Sequence, residues 1–278
     1  MVDGARPHDP SKPSVLIRLP RRTEMLVLPE RSLEISNPPD CLRQLIFESD
    51  WEEFPYWMMG TGFLALWNNS IFLITAAHCI AENQHNALRI PIRPHDAQIL
   101  PFDKFMTFET PGDARDLDVA MYRAKPPTEQ DLFDVRNAAA PISPVHSFDS
   151  VLAQVQAASA NEAALALFAI GFPRAAEASK VDLIASHITS QPAEVHIQYL
   201  RPSSEPHRHI GKILRSTIGD LNGMSGSPVF LRTTRTDESP RRYMLAGMLV
   251  RASASTVEFV SGHLLSNALG YASHYLRA

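Results

Sequence analysis

The sequence predicts an all-β protein, two packed antiparallel β-barrels or sandwiches closed by a C-terminal α-helix. Three observations lead there. Short apolar runs recur in two groups, proline outnumbers glycine 22 to 12, and sustained helical spacing is clearest at the tail. Proline-rich chains of this kind favour turns and short segments over long helices.

The first 40 residues read as an extension. Val15 to Leu19 and Met25 to Leu28 suit short strands, which Pro20 and Pro29 close, and Pro38-Pro39 makes a break. The first group of strand-like runs then follows: Leu45 to Phe47, Gly62 to Trp67, Ile71 to Thr75, Leu88 to Ile92 and Val119 to Tyr122. Asn68-Asn69 between the second and third is a hairpin signal, because asparagine tolerates the positive φ that a two-residue turn needs. Pro126 to Pro144 reads as a linker, and Val151 to Leu165, rich in alanine, as helical. The second group runs Leu165 to Gly171, Val181 to His187, Glu194 to Leu200, Ile213 to Thr217, Val229 to Leu231, Met244 to Val250 and Thr256 to Val260. Leu264, Leu265, Leu269, Ala272 and Leu276 then repeat near helical spacing.

Composition narrows the function. Apolar residues make up 45% and charged residues 20%, so the 278-residue chain can bury a sizeable core. A net charge of -4 gives no electrostatic reason to expect a nucleic acid partner. No apolar run approaches the ~18 residues of a membrane helix, and Met1 to Pro20 lacks the apolar centre of a signal peptide. Cys41 and Cys79 are too few for a disulfide framework or a four-thiolate zinc site. The expectation is a cytoplasmic protein without membrane attachment.

Three segments carry chemistry. Thr75-Ala76-Ala77-His78-Cys79 puts a histidine at the end of a strand, where small neighbours let it pack while its ring faces a cleft. Asp116-Leu117-Asp118-Val119-Ala120 sets Asp118 where a polar stretch becomes an apolar strand, in reach of an imidazole held under a barrel wall. Gly223-Met224-Ser225-Gly226-Ser227-Pro228 brackets Ser225 with glycines that let the chain turn sharply, exposing a hydroxyl and nearby N–H groups. Taken singly, each has an ordinary reading: a packed histidine, a solvated turn acid, a Gly/Ser/Pro loop. Ser227 stands where the α/β-hydrolase nucleophile elbow requires glycine, so that class is excluded.

In the order His78, Asp118, Ser225, with Gly60-Thr61-Gly62-Phe63 before them and Gly171-Phe172-Pro173 between, the chain resembles the chymotrypsin-like (trypsin-fold) serine peptidases, in their bacterial-type branch. The resemblance covers about residues 42 to 275. It implies two antiparallel β-barrels of the chymotrypsin type: residues 41–138 with the histidine and aspartate, 139–262 with the serine, and a closing helix over 263–278. It implies a serine endopeptidase that needs no cofactor and no metal. Ser225 would be the nucleophile, His78 the base, Asp118 its orienting carboxylate, and the amides of Gly223 and Ser225 the oxyanion hole.

Departures from the family matter too. Met224 stands where the digestive members carry an aspartate that pairs with a newly cut N-terminus, so activation of that kind is not expected. Cys79 occupies a disulfide position whose partner region reads Met59-Gly60-Thr61-Gly62, which fits a reducing compartment; a bridge to Cys41 stays open. The implied substrate pocket comprises Asp220, Asn222, Val250, Arg251, Ala252 and Glu258. Asp220 and Glu258 could make it acidic, Arg251 could neutralise them, or all three could face solvent. His207-Arg208-His209 reads as a solvated loop rather than a metal site. His187 and His196 lie in strand-like runs that could border the pocket, and Trp51, Phe54, Tyr56 and Trp57 form an aromatic cluster for packing. The expected partner is a peptide or protein substrate. A regulatory protein that relieves latency, and a catalytically idle binding module, stand as alternatives.

Overall fold

The computed structural model describes residues 14–18, 38–49, 56–80, 84–93, 98–109, 117–142, 166–174, 179–182, 187–233 and 242–276. Met25 to Leu28, Val151 to Leu165, Trp51 and Phe54 lie outside them.

The first half is one curled sheet of eight strands. β1 (Ser14–Arg18) lies parallel to β6 (Phe102–Glu109) at one edge. The order continues through β7 (Ala120–Ala124), β4 (Ser70–Thr75), β3 (Tyr56–Trp67), β2 (Leu42–Glu48) and β5 (Leu88–Arg89). β8 (Ala140–Pro141) pairs with the far end of β3. The β3–β4 hairpin turns on Asn68 and Asn69, whose φ values of 45° and 67° supply the right-handed twist a two-residue turn demands. The sheet curls into a half-barrel around a buried core that includes Phe47, Phe63, Phe72, Phe108 and Met121. Trp57 stacks on Phe47 with ring centroids 4.9 Å apart, and Tyr56 is exposed.

The second half closes completely. β9 (Ala166–Gly171), β12 (Ala193–Pro202), β13 (Arg208–Ser216), β16 (Thr256–Ser261), β15 (Arg242–Ala252) and β14 (Pro228–Thr233) form a barrel around Val195, Ile197, Val229, Leu249 and Phe259. Closure leaves the barrel itself without a free strand edge. β10 (Ser179–Asp182) and β11 (His187–Ser190) form a separate hairpin where the sequence suggested a single strand over Val181 to His187.

Among the described residues, two α-helices complete the fold. α1 (Glu129–Ala138) replaces the linker expected over Pro126 to Pro144. Pro126 and Pro127 precede its N-cap Thr128, where proline costs no helical hydrogen bond, and the Thr128 hydroxyl accepts from the Asp131 amide at 3.1 Å. α2 (Gly262–Tyr275) starts on the Ser261 side chain and buries Leu264, Leu265, Ala268, Leu269 and Ala272. These pack into a cluster shared by the first sheet and by Phe168, Phe230 and Met248 of the second barrel, so the helix ties the halves together. No helix among the described residues is long and apolar enough to cross a membrane.

Candidate active site

β4 ends at Thr75, and a short 3-10 turn, Ala77–Cys79, carries His78 out of the sheet. Asp118 lies at the entry to β7, the strand paired with β4, and adopts a φ of 56°. A left-handed conformation at a residue other than glycine costs on the order of 1 kcal/mol. Here it turns the whole residue back on the histidine: the Asp118 carbonyl accepts from the Ala77 amide at 3.2 Å, and Oδ1 accepts from the His78 amide at 3.0 Å. The imidazole Nδ1 lies 2.9 Å from Oδ1 and 2.8 Å from Oδ2. An ionised carboxylate only accepts, so Nδ1 carries the proton and Nε2 is the free nitrogen in the neutral ring. The hydrogen bond that Nδ1 donates to Asp118 favours the charged imidazole, raising its pKa from 6.5 to about 10. The His78 side chain is 48% exposed and that of Asp118 13%.

Ser225 comes from the other half, on the loop between β13 and β14. Gly223 and Gly226 on either side have φ of 90° and 85°, values that L side chains rarely adopt. Close approach also demands glycine at 226, because an added Cβ would lie 1.9 Å from the Thr61 carbonyl oxygen. The loop is pinned at several points. Thr61 N donates to the Ser225 carbonyl at 3.0 Å, and the Gly226 amide donates to Leu249 O at 2.8 Å. The Thr61 hydroxyl donates to Gly223 O at 3.0 Å and accepts from the Phe172 amide at 2.8 Å. Met224 and Ser227 are buried. Among the described residues, the amides of Gly223 and Ser225 donate to no protein acceptor.

His78, Asp118 and Ser225 line one open cleft of 690 Å³, together with Ala77, Arg208, Val250, Arg251 and Ala252. The Ser225 hydroxyl donates to Val250 O at 3.4 Å, not to His78. Val250, Arg251 and Ala252 thus stand where the sequence expected substrate. Asp220 and Asn222 do not line the cleft: both are exposed, and the Asp220 carboxylate is engaged by the Asn222 amide and side chain, each at 3.0 Å. Glu258 does not line the cleft; it accepts from Ser203 Oγ at 2.7 Å and faces Arg208 Nη1 at 3.5 Å. The wall facing the cleft is therefore cationic, not acidic.

Arg208 is the lining residue that sequence reasoning passed over. It and His209 are buried at the start of β13, not solvated in a loop. His196 is exposed and sits 3.1 Å from Glu194, away from the cleft lining. Among the described residues no group of three or more His, Cys, Asp and Glu could hold a metal ion. Cys41 and Cys79 are both buried free thiols. Burial pushes the Cys41 thiol up to about 12, while Cys79 Sγ lies 3.7 Å from the Ser225 carbonyl oxygen.

The family model for a trypsin-like peptidase domain matches residues 60–236, and the chain belongs to that family. The match takes in His78, Asp118 and the Ser225 loop. No curated protein matches the chain.

Proposed function

We propose that the protein is a serine endopeptidase acting through His78, Asp118 and Ser225. The observation that carries this is the double contact of the His78 ring with the Asp118 carboxylate, in a cleft shared with Ser225. His78 Nε2 takes the Ser225 hydroxyl proton as Oγ bonds to the substrate carbonyl carbon, and the carbonyl electrons move to oxygen. The Gly223 and Ser225 amides, unengaged among the described residues, receive that oxyanion. Collapse breaks the C–N bond, and the imidazolium gives its proton to the departing amine. Water then attacks the acyl-enzyme with His78 again as base. Asp118 orients the ring and stabilises its charged form throughout.

A specific observation favours latency as a second reading. The Ser225 hydroxyl is turned to Val250 O, and the contact with Asp118 favours the protonated form of the His78 ring. Attack requires the hydroxyl to rotate and the imidazole to lose its proton, a change that a bound substrate or a regulatory protein could drive. The two buried free thiols fit the reducing conditions of a cytoplasmic location.

Labelling with a fluorophosphonate probe tests the reading. Labelling of wild-type protein that Ser225→Ala abolishes supports the triad. Labelling that appears only with a partner, or only after removal of residues 1–40, supports latency. Failure to label under all of these conditions rejects the enzyme in favour of an idle binding module.

A further inference from the structure

The cleft beside Ser225 presents two guanidinium groups. Apart from the His78–Asp118 pair, its charged lining residues are Arg208 and Arg251. Arg208 opens β13 opposite Val260 of β16 and is only 5% exposed, whereas Arg251 on β15 is 61% exposed. Both are braced from behind. Arg208 Nη1 lies 2.8 Å from Glu205 and 3.5 Å from Glu258, and Arg251 Nη1 lies 3.4 Å and 3.6 Å from the same two carboxylates. Neither glutamate lines the cleft. The charges are thus layered: the cations line the cleft and their paired carboxylates do not.

This layering has a chemical consequence. A guanidinium offers five N–H donors, and each arginine meets the carboxylates through Nη1 alone. The remaining donors belong to groups already held in place and, for Arg208, already removed from water. A carboxylate arriving from the cleft can add charge-assisted hydrogen bonds, with little new desolvation at the buried Arg208. A basic side chain would meet the guanidinium groups of the lining and be repelled.

We propose that the cleft selects peptides carrying an aspartate or glutamate side chain, bound by Arg208 and Arg251. The proposal rests on the peptidase reading above and names its substrate class. Arg208 is the fixed contact. Arg251 is the adaptable one, free to close over the acid.

The test uses two readouts. Wild-type protein is profiled for cleavage with a randomised peptide library. The immobilised Ser225→Ala protein is offered the same library for binding. Peptides differing only by glutamate against glutamine should be discriminated in favour of the acid by roughly ten- to a hundredfold, the value of one or two charge-assisted bonds. Arg251→Gln should reduce that ratio, and Arg251→Glu should reverse it towards lysine peptides. Arg208→Gln should lower it too; since that change could unfold the protein, the exposed Arg251 variants keep the question decidable. Equal handling of acid and amide peptides, or a preference for lysine or arginine, overturns the proposal. If Ser225 labels with fluorophosphonate but no acid preference appears, this inference fails alone. If acid-selective binding persists without any labelling, the peptidase reading fails alone.

Discussion

Thr61 on β3 donates its amide to the carbonyl of Ser225 at 3.0 Å, joining the first half's sheet directly to the Ser225 loop of the second. The cleft between the halves is therefore built across a main-chain hydrogen bond. Its neighbours reinforce it: the buried Thr61 hydroxyl bridges Phe172 N and Gly223 O, and the Thr75 hydroxyl donates to Thr61 O at 2.7 Å.

Thr61→Val keeps the shape and removes the hydroxyl, stranding a buried amide and a carbonyl. The expected cost is about 1–3 kcal/mol, read as a lower urea midpoint at unchanged slope. Because Gly223 would lose its anchor, Ser225 should also label more slowly with fluorophosphonate. Unchanged stability together with an unchanged labelling rate would remove Thr61 from this role.

The loop's geometry predicts a contrast between two glycines. Gly226→Ala places a methyl 1.9 Å from Thr61 O and 2.5 Å from the Thr75 hydroxyl, at a φ of 85°. It should cost upwards of about 2 kcal/mol and abolish labelling. Gly219→Ala on the same loop meets nothing within 4 Å and should change stability by no more than about 0.5 kcal/mol. Thermal melts of the two variants check this directly, and equal melting temperatures would contradict it.

The His78–Asp118 contact predicts an alkaline activity profile. The hydrogen bond raises the imidazole from 6.5 to about 10, and only the neutral ring can accept the serine proton. Labelling of Ser225 should rise with pH to a midpoint well above 6.5, and Asp118→Asn should bring the midpoint back towards 6.5 while slowing the reaction. The linkage has a definite sign. A folded-state pKa above the unfolded value means that His78 contributes stability fully below about 6.5, lost as pH rises through about 10. The ring is half exposed, so solvent screening makes the stability effect small. A labelling midpoint that Asp118→Asn leaves in place would refute the assignment.

Arg43 supplies a test away from the cleft. Buried in β2, it donates to the carbonyls of Asp40, Leu42, Pro91 and Ile92 at 2.8, 2.7, 3.2 and 2.9 Å. Burial lowers its pKa to about 10. Arg43→Ala leaves an apolar gap and several carbonyls without their donor, so a loss of about 3 kcal/mol or more is expected by denaturant titration. A change under 1 kcal/mol would show that water replaces the guanidinium.

Much of the barrel architecture was legible because strand and turn signals are local. Asn68-Asn69 announced its hairpin through the positive φ that asparagine tolerates. The terminal helix showed in the spacing of its leucines. β6 was missed because Phe-Asp-Lys-Phe-Met-Thr-Phe-Glu shows no clean two-residue alternation. α1 was missed because Pro126 and Pro127 were read as linker residues, although Thr128 with acidic residues in the first turn is a helix-start signal. In the site, His78, Asp118 and Ser225 stood in recognisable segments. Asp220, by contrast, bonds to its own loop, and no feature of the segment around it announced which way its side chain turns.

By itself the sequence determined the run of strands, the glycines that shape the Ser225 loop, and the three residue types able to carry acyl transfer. These depend on φ preferences and on neighbours a few positions away. Only the tertiary structure decided that residues from two halves share one cleft, and that its wall is cationic. Arg208 and Glu258 lie 50 positions apart and meet because β13 pairs with β16. Which of the two charges lines the cleft is a property of that pairing, and no local pattern encodes it.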